Sequence, residues 1–166
     1  MIRELLLLLF IATLGTCALM SLLWLVQRKS GNAGIVDVAW AGSLAAMATL
    51  YAVAGPGWAV RKVLMVIMAV FWGVRLSWHI HARGKGKPED GRYQQLRKEW
   101  APHVQFRMFR FFQFQAAAAV FFSLPFVLPA MNPQAALHPL ERIAFMLWCI
   151  AFAGETMADF QLNRHK

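Results

Sequence analysis

The sequence predicts an all-α integral membrane protein: a helical bundle of about five transmembrane helices plus one short interfacial helix. Three observations lead there. Hydrophobic residues make up 59% of the 166 positions and charged residues only 15%, where a soluble domain carries about 25% charge. Too few charges remain to cover a water-facing surface, so lipid must cover much of it. Five apolar segments also reach the roughly 20 residues that a helix needs to cross a bilayer at 1.5 Å per residue. Finally, the basic residues sort strongly to one side of those segments.

The first span covers about 5–26, "LLLLLFIATLGTCALMSLLWLV". Its apolar run is too long for a signal peptide, and no small-residue cleavage site precedes a polar mature chain. The second covers about 35–54 after the polar turn "QRKSGNAG". A Pro-Gly turn, "AGPGW", leads to the third, about 58–80, which ends in "MAVFWGVRLSWHI". "RYQQLRKEW" places Tyr93, Leu96 and Trp100 on one side of a short amphipathic helix suited to the interface plane. The fourth span covers about 111–131 and the fifth about 140–160, separated by "MNPQAALHP", whose two prolines do not continue a helix. Residues 1–166 read as a single transmembrane domain. Cys17 and Cys149 lie inside apolar runs and read as small packing residues.

Five spans make the loops alternate sides. One side collects Arg28, Lys29, Arg83, Lys85, Lys87, Arg92, Arg97, Lys98, Arg107, Arg110, Arg164 and Lys166. The other holds Arg3, Arg61, Lys62 and Arg142, and Arg75 lies within a span. Positive loops face the cytoplasm, which predicts an outside amino terminus and a cytoplasmic carboxyl terminus. The same rule accounts for the net charge of +9 without nucleic acid as a partner.

Ionisable groups at membrane depth are costly and mark function by default. Asp37, Arg75, Glu155 and Asp159 all fall in the cytoplasmic half on this topology. Glu155 and Asp159 are four apart and share a helix face. Snorkelling or a structural ion pair is the plain alternative.

The connector "HIHARGKGKPEDGRY" invites several readings. His79 and His81 are two apart, so on a helix they point apart, and no metal site is expected. "GKGKPEDG" lacks the third glycine of a dinucleotide loop and the pattern of a P-loop. Its cations can still hold a phosphate. A basic cluster beside a span also reads as an anchor for anionic lipid, although Glu89 and Asp90 fit that role poorly.

"VDVAW", "FWGVRLSWHIHARGKGKPEDGRYQQLR" and "GETMADFQLNRHK" resemble three separated blocks of the bacterial membrane family called domain of unknown function 1295, which is related to the steroid 5-alpha-reductases. The matching positions are Asp37 and Trp40; Trp72, Gly73, Arg75, Leu76 and Arg83; Glu89, Asp90, Arg92 and Tyr93; then Gly154, Glu155, Asp159, Gln161 and Leu162. The resemblance implies an NADPH-dependent oxidoreductase acting on CH–CH groups, in a bacterial inner membrane. Such an enzyme sends hydride to the C=C bond of a lipophilic enone.

The resemblance makes Arg75, Arg83, Asp159 and Lys166 the cofactor contacts. Tyr93 and Glu155 are its catalytic candidates. Trp72 stands where the characterised reductases carry a tyrosine, and the family's later Ser-Arg-His-Pro-Asn-Tyr-like segment does not occur in this sequence. The chain therefore reads as an amino-terminal portion, completed by a homo-oligomer or a partner that supplies the rest. Partners otherwise comprise membrane lipids and a lipophilic small molecule. The alternatives are a non-catalytic membrane subunit or lipid-binding scaffold, and a relative of the isoprenylcysteine-type methyltransferases.

Overall fold

A computed structural model describes residues 2–164. Six helices follow one another: α1 (Ile2–Ser30), α2 (Ile35–Ala54), α3 (Ala59–Gly84), α4 (Gly91–Glu99), α5 (Val104–Met131) and α6 (Pro139–Arg164). All but α4 are long and apolar enough to cross a membrane. The chain is thus an all-helical integral membrane protein, as its composition predicts. Of the described residues, those up to Asn132 form one compact unit and those from Pro133 a second.

The helices overrun the apolar segments that announce them. The fourth span begins at Val104, about two turns before the expected 111. Arg107 and Arg110 depress the apolar signal there, but helix formation needs only the backbone ladder, and Arg107 N–H bonds His103 O at 3.1 Å. Pro125 and Pro129 lie inside α5. Helices in a bilayer tolerate such residues better than helices in water. Gly31, at φ +70°, closes α1, with its N–H on Gln27 O at 2.9 Å. In the second unit, Pro139 takes the first position of α6. His138 and Glu141 cap it, with His138 N–H on Glu141 Oε2 at 2.8 Å and Leu140 N–H on His138 Nδ1 at 3.2 Å.

The first unit is packed through small residues. At Gly73 a Cβ would stand 2.9 Å from Ala41 O and 3.0 Å from the Ala45 Cβ. Backbones approach that closely in membranes where small residues face each other. Ser77 extends the same seam, with Oγ bonded to Val38 O at 2.9 Å. On the other side of α2, Tyr51 is fully buried and its hydroxyl pairs with Ser123 of α5 at 3.0 Å. Met20, Met108, Phe112 and Ala116 fill the space between α1 and α5.

One end of this unit is closed by backbone. Gly57 N–H donates to Ala130 O at 2.8 Å and Trp58 N–H to Asn132 O at 2.9 Å. Arg61 Nη1 shares Asn132 O at 2.9 Å, and Lys62 Nζ caps Gly55 O at 2.7 Å. A Cβ on Gly55 would collide with Ala130 O.

Gly73→Leu is expected to cost about 2–3 kcal/mol, the scale of overpacking. Gly15→Leu, where a Cβ meets nothing within 4 Å, should cost almost nothing. Thermal unfolding in detergent compares the two; equal losses would show that the α2–α3 seam is not tight.

Candidate functional site

The richest polar cluster lies at the opposite end of the first unit, where α4 lies across the ends of α1, α2 and α5. Asp90 starts α4 by accepting from Arg92 N–H at 3.0 Å, an N-cap bond. Arg92 folds back, with Nε on Asp90 Oδ1 at 3.0 Å and Nη2 3.3 Å from Asp37 Oδ2. Tyr93, next in line, turns inward. It is 3% exposed, lies edge-on to Phe111, and donates its hydroxyl to Asp37 Oδ1 at 2.8 Å. Asp37 sits in the first turn of α2, where the helix dipole favours a carboxylate.

A second anchor lies alongside. Glu89 Oε2 accepts from Arg97 Nε at 2.7 Å, and Glu89 Oε1 accepts from Arg97 Nη2 at 3.0 Å and Ala33 N–H at 2.7 Å. Arg97 Nη2 also reaches Gln27 Oε1 at 2.9 Å and Gly31 O at 3.3 Å. Gln27, fully buried, donates onward to Gln105 Oε1 at 3.0 Å. Glu89 and Arg97 therefore tie α4 to the α1–α2 turn and, through Gln27, to α5. The Glu89 side chain is 9% exposed, against 70% for Arg92. The exposed Arg92–Asp37 pair contributes at most about 1 kcal/mol, whereas breaking a buried pair leaves an uncompensated charge at about 3–5 kcal/mol.

The titrating groups follow from these contacts. The Arg92 side chain and then its N–H hold the Asp90 carboxyl below its ordinary 3.8. Asp90 in turn raises the Arg92 guanidinium. Burial, then the charge of Asp37, pushes the Tyr93 phenol well above its ordinary 10.0. Tyr93 is thus a fixed donor and not a base at neutral pH.

The residues singled out in the sequence fall on several elements. Tyr93 lies within the α4 anchor. Arg83 is exposed in the last turn of α3. Arg75 lies two turns earlier on α3, roughly 200° around the helix from Gly73 and so away from the α2 seam. Glu155 and Asp159 lie one turn apart on α6, in the second unit. Lys166 lies outside the described residues. His79 and His81 both sit within α3 and point apart, and no group of three metal-ligating side chains occurs among the described residues.

Two features were only partly legible in the sequence. His79 falls between Arg75 and Arg83 at steps of four, so the three form a basic stripe along α3. More telling is Trp40, one turn beyond Asp37 on the same side of α2. Its Nε1 is buried, with no hydrogen-bond partner among the described residues. The ring lies edge-on to Phe122, 5.9 Å between centroids. Its spacing from Asp37 and its place in the matching block "VDVAW" marked it in the sequence.

The fold and this cluster define a polytopic helical membrane protein with a short helix clamped across one end of its bundle. A family model described as "Protein of unknown function (DUF1295)" matches residues 23–166, and the chain belongs to that family. No curated protein and no solved structure matches it.

Glu89→Ala is expected to release α4 at a cost of about 3 kcal/mol, seen as faster tryptic cleavage at Arg92 and Lys98. Cleavage at the wild-type rate would contradict the anchor. The Asp90 cap has its own pH signature. Its folded pKa is depressed, so its stabilisation is present above 3.8 and is lost as pH falls through the lower folded value. Hydrogen exchange of the α4 amides should rise over that window in wild type and much less in Asp90→Asn.

Proposed function

We propose that this protein is a membrane-embedded, NADPH-dependent reductase of the steroid 5-alpha-reductase type, acting on the C=C bond of a lipophilic enone. The observation that carries this reading is the Trp40 indole N–H. A buried donor without a partner costs about 1–3 kcal/mol, and native proteins rarely leave one without a reason. It stands in an otherwise apolar bundle, one turn from a carboxylate and a phenol. A lipophilic ketone offers the acceptor it lacks. A donor fixed in a dry setting also stabilises the negative charge that grows on that oxygen as hydride arrives at the conjugated carbon.

The rest of the assignment follows from residue chemistry. Arg75 and Arg83 serve the cofactor phosphates, since guanidinium binds phosphate in two-pronged fashion. Asp159 and Lys166 are assigned to the same cofactor. Tyr93 and Glu155 are the proton-handling groups, with Tyr93 already holding its proton toward Asp37. The end of the bundle that carries α4 faces the cytoplasm of a bacterial cell, where NADPH resides.

A scaffold role is the second reading, favoured by one observation. Glu89 and Asp90, which suited a lipid anchor poorly, are both engaged within the protein.

Titration of the purified protein with NADPH and separately with S-adenosylmethionine decides among the readings. NADPH alone should bind, and Arg75→Ala should weaken it about tenfold, the loss of one charge-assisted bond. Trp40→Phe should leave stability unchanged or slightly raised, because the lost donor has no internal partner, while weakening binding of an enone lipid. Failure to bind NADPH would leave the scaffold.

A further inference from the structure

A separate feature lies between α1 and α5, near the end that carries α4. The two helices run antiparallel, and four contacts fix their register. Trp24 Nε1 donates to Gln105 O at 3.1 Å, and Gln27 Nε2 to Gln105 Oε1 at 3.0 Å. Trp24 meets Phe109 edge-on at 5.1 Å. Farther in, Gln113 Nε2 donates to Ser21 Oγ at 3.1 Å. Trp24, Gln105 and Phe106 therefore stand at one depth.

Two arginines lie over rings at that depth, one on each helix. Arg28 lies one turn beyond Trp24, and its guanidinium carbon is 5.0 Å from the centre of the Trp24 ring. Arg110 lies one turn beyond Phe106, with its guanidinium carbon 5.9 Å from that ring. Helical side chains lean toward their own amino terminus. Because the helices are antiparallel, Arg28 leans into the membrane and Arg110 leans out of it. Neither makes an ion pair among the described residues, and both are exposed. The nearby carboxylates are committed elsewhere, Asp37 and Asp90 to Arg92 and Glu89 to Arg97. Phe114, one turn deeper than Arg110 on the same side of α5, is 69% exposed and offers an apolar track below.

A basic side chain that only sought water would extend outward at both sites. Arg28 instead lies back over an indole, where cation–π attraction holds it. We infer that Arg28 and Arg110 form a seat for the phosphate of an anionic phospholipid, with Trp24 and Phe106 as its floor and Phe114 along its acyl chain. This seat is independent of any catalytic role and distinct from the loop that carries Lys85 and Lys87. Membrane phospholipid is the occupant because the site opens at interface depth beside exposed apolar surface, where the charge of such a lipid is complementary.

Native mass spectrometry of protein released from nanodiscs tests this. Wild type should retain one phosphatidylglycerol in preference to phosphatidylcholine, saturating as its mole fraction rises. Arg28→Gln/Arg110→Gln should retain roughly twenty-fivefold less, about fivefold for each cation near an anionic surface. Lys85→Gln/Lys87→Gln should retain it as wild type does. Equal loss in both double variants would overturn the seat in favour of diffuse charge. Displacement by millimolar inorganic phosphate would show a soluble-anion site and overturn the lipid assignment. Should Arg28→Gln/Arg110→Gln fail to fold, the wild-type titration decides: retention that rises linearly without saturating overturns the proposal.

Discussion

The first unit depends on the ion pair between Glu89 and Arg97. Both residues come from the most polar part of the chain, yet the carboxylate is nearly as buried as the apolar core. Charges are accepted there only because each carboxylate oxygen finds a donor. One Glu89 oxygen serves Arg97 and the Ala33 amide together, and Arg97 continues to Gln27 and Gly31. The pair thus fixes where α1 ends, where α2 begins and where α4 lies. The Tyr93–Asp37 bond and the Asp90 cap complete a geometry that this pair has already set.

That arrangement changes the meaning of the polar connector. As sequence, "GKGKPEDG" mixes charge of both signs and suits neither a phosphate loop nor a lipid anchor. In the fold the signs separate. Glu89 turns inward against Arg97, Asp90 pairs with Arg92 at the surface, and Arg83, Lys85 and Lys87 stay exposed. The connector is a fastening with a cationic outer face. At the far end of the unit, main-chain groups of Gly57 and Trp58 do the equivalent work.

The five spans were legible because hydrophobic length is a local property, read without knowing any contact. The short helix was legible for the same reason, through Tyr93, Leu96 and Trp100. What joins the elements was not. Asp37 and Tyr93 are 56 positions apart, and nothing local distinguishes a carboxylate awaiting a phenol from one awaiting a substrate. Asp37 was marked as a costly charge and Tyr93 as a candidate acid, but separately. Asp90 did carry a local signal, an acidic residue directly before a helical stretch, which a search for glycine loops passes over. Trp40 was marked by its place beside Asp37 but its unmet donor was not, because a missing partner is visible only when every neighbour is placed.

The backbone closure at Asn132 bears on the order in which the unit can be completed. Chains emerge amino terminus first. The α2–α3 turn therefore exists for some seventy residues of synthesis before Ala130 and Asn132 arrive to accept from Gly57 and Trp58. Until then water at the interface must serve those amides, because lipid cannot. α4 faces no such wait for Gln27 and Ala33, which precede it. The helix across one end can dock while the other end is still open, and α5 is the stitch that finishes the unit.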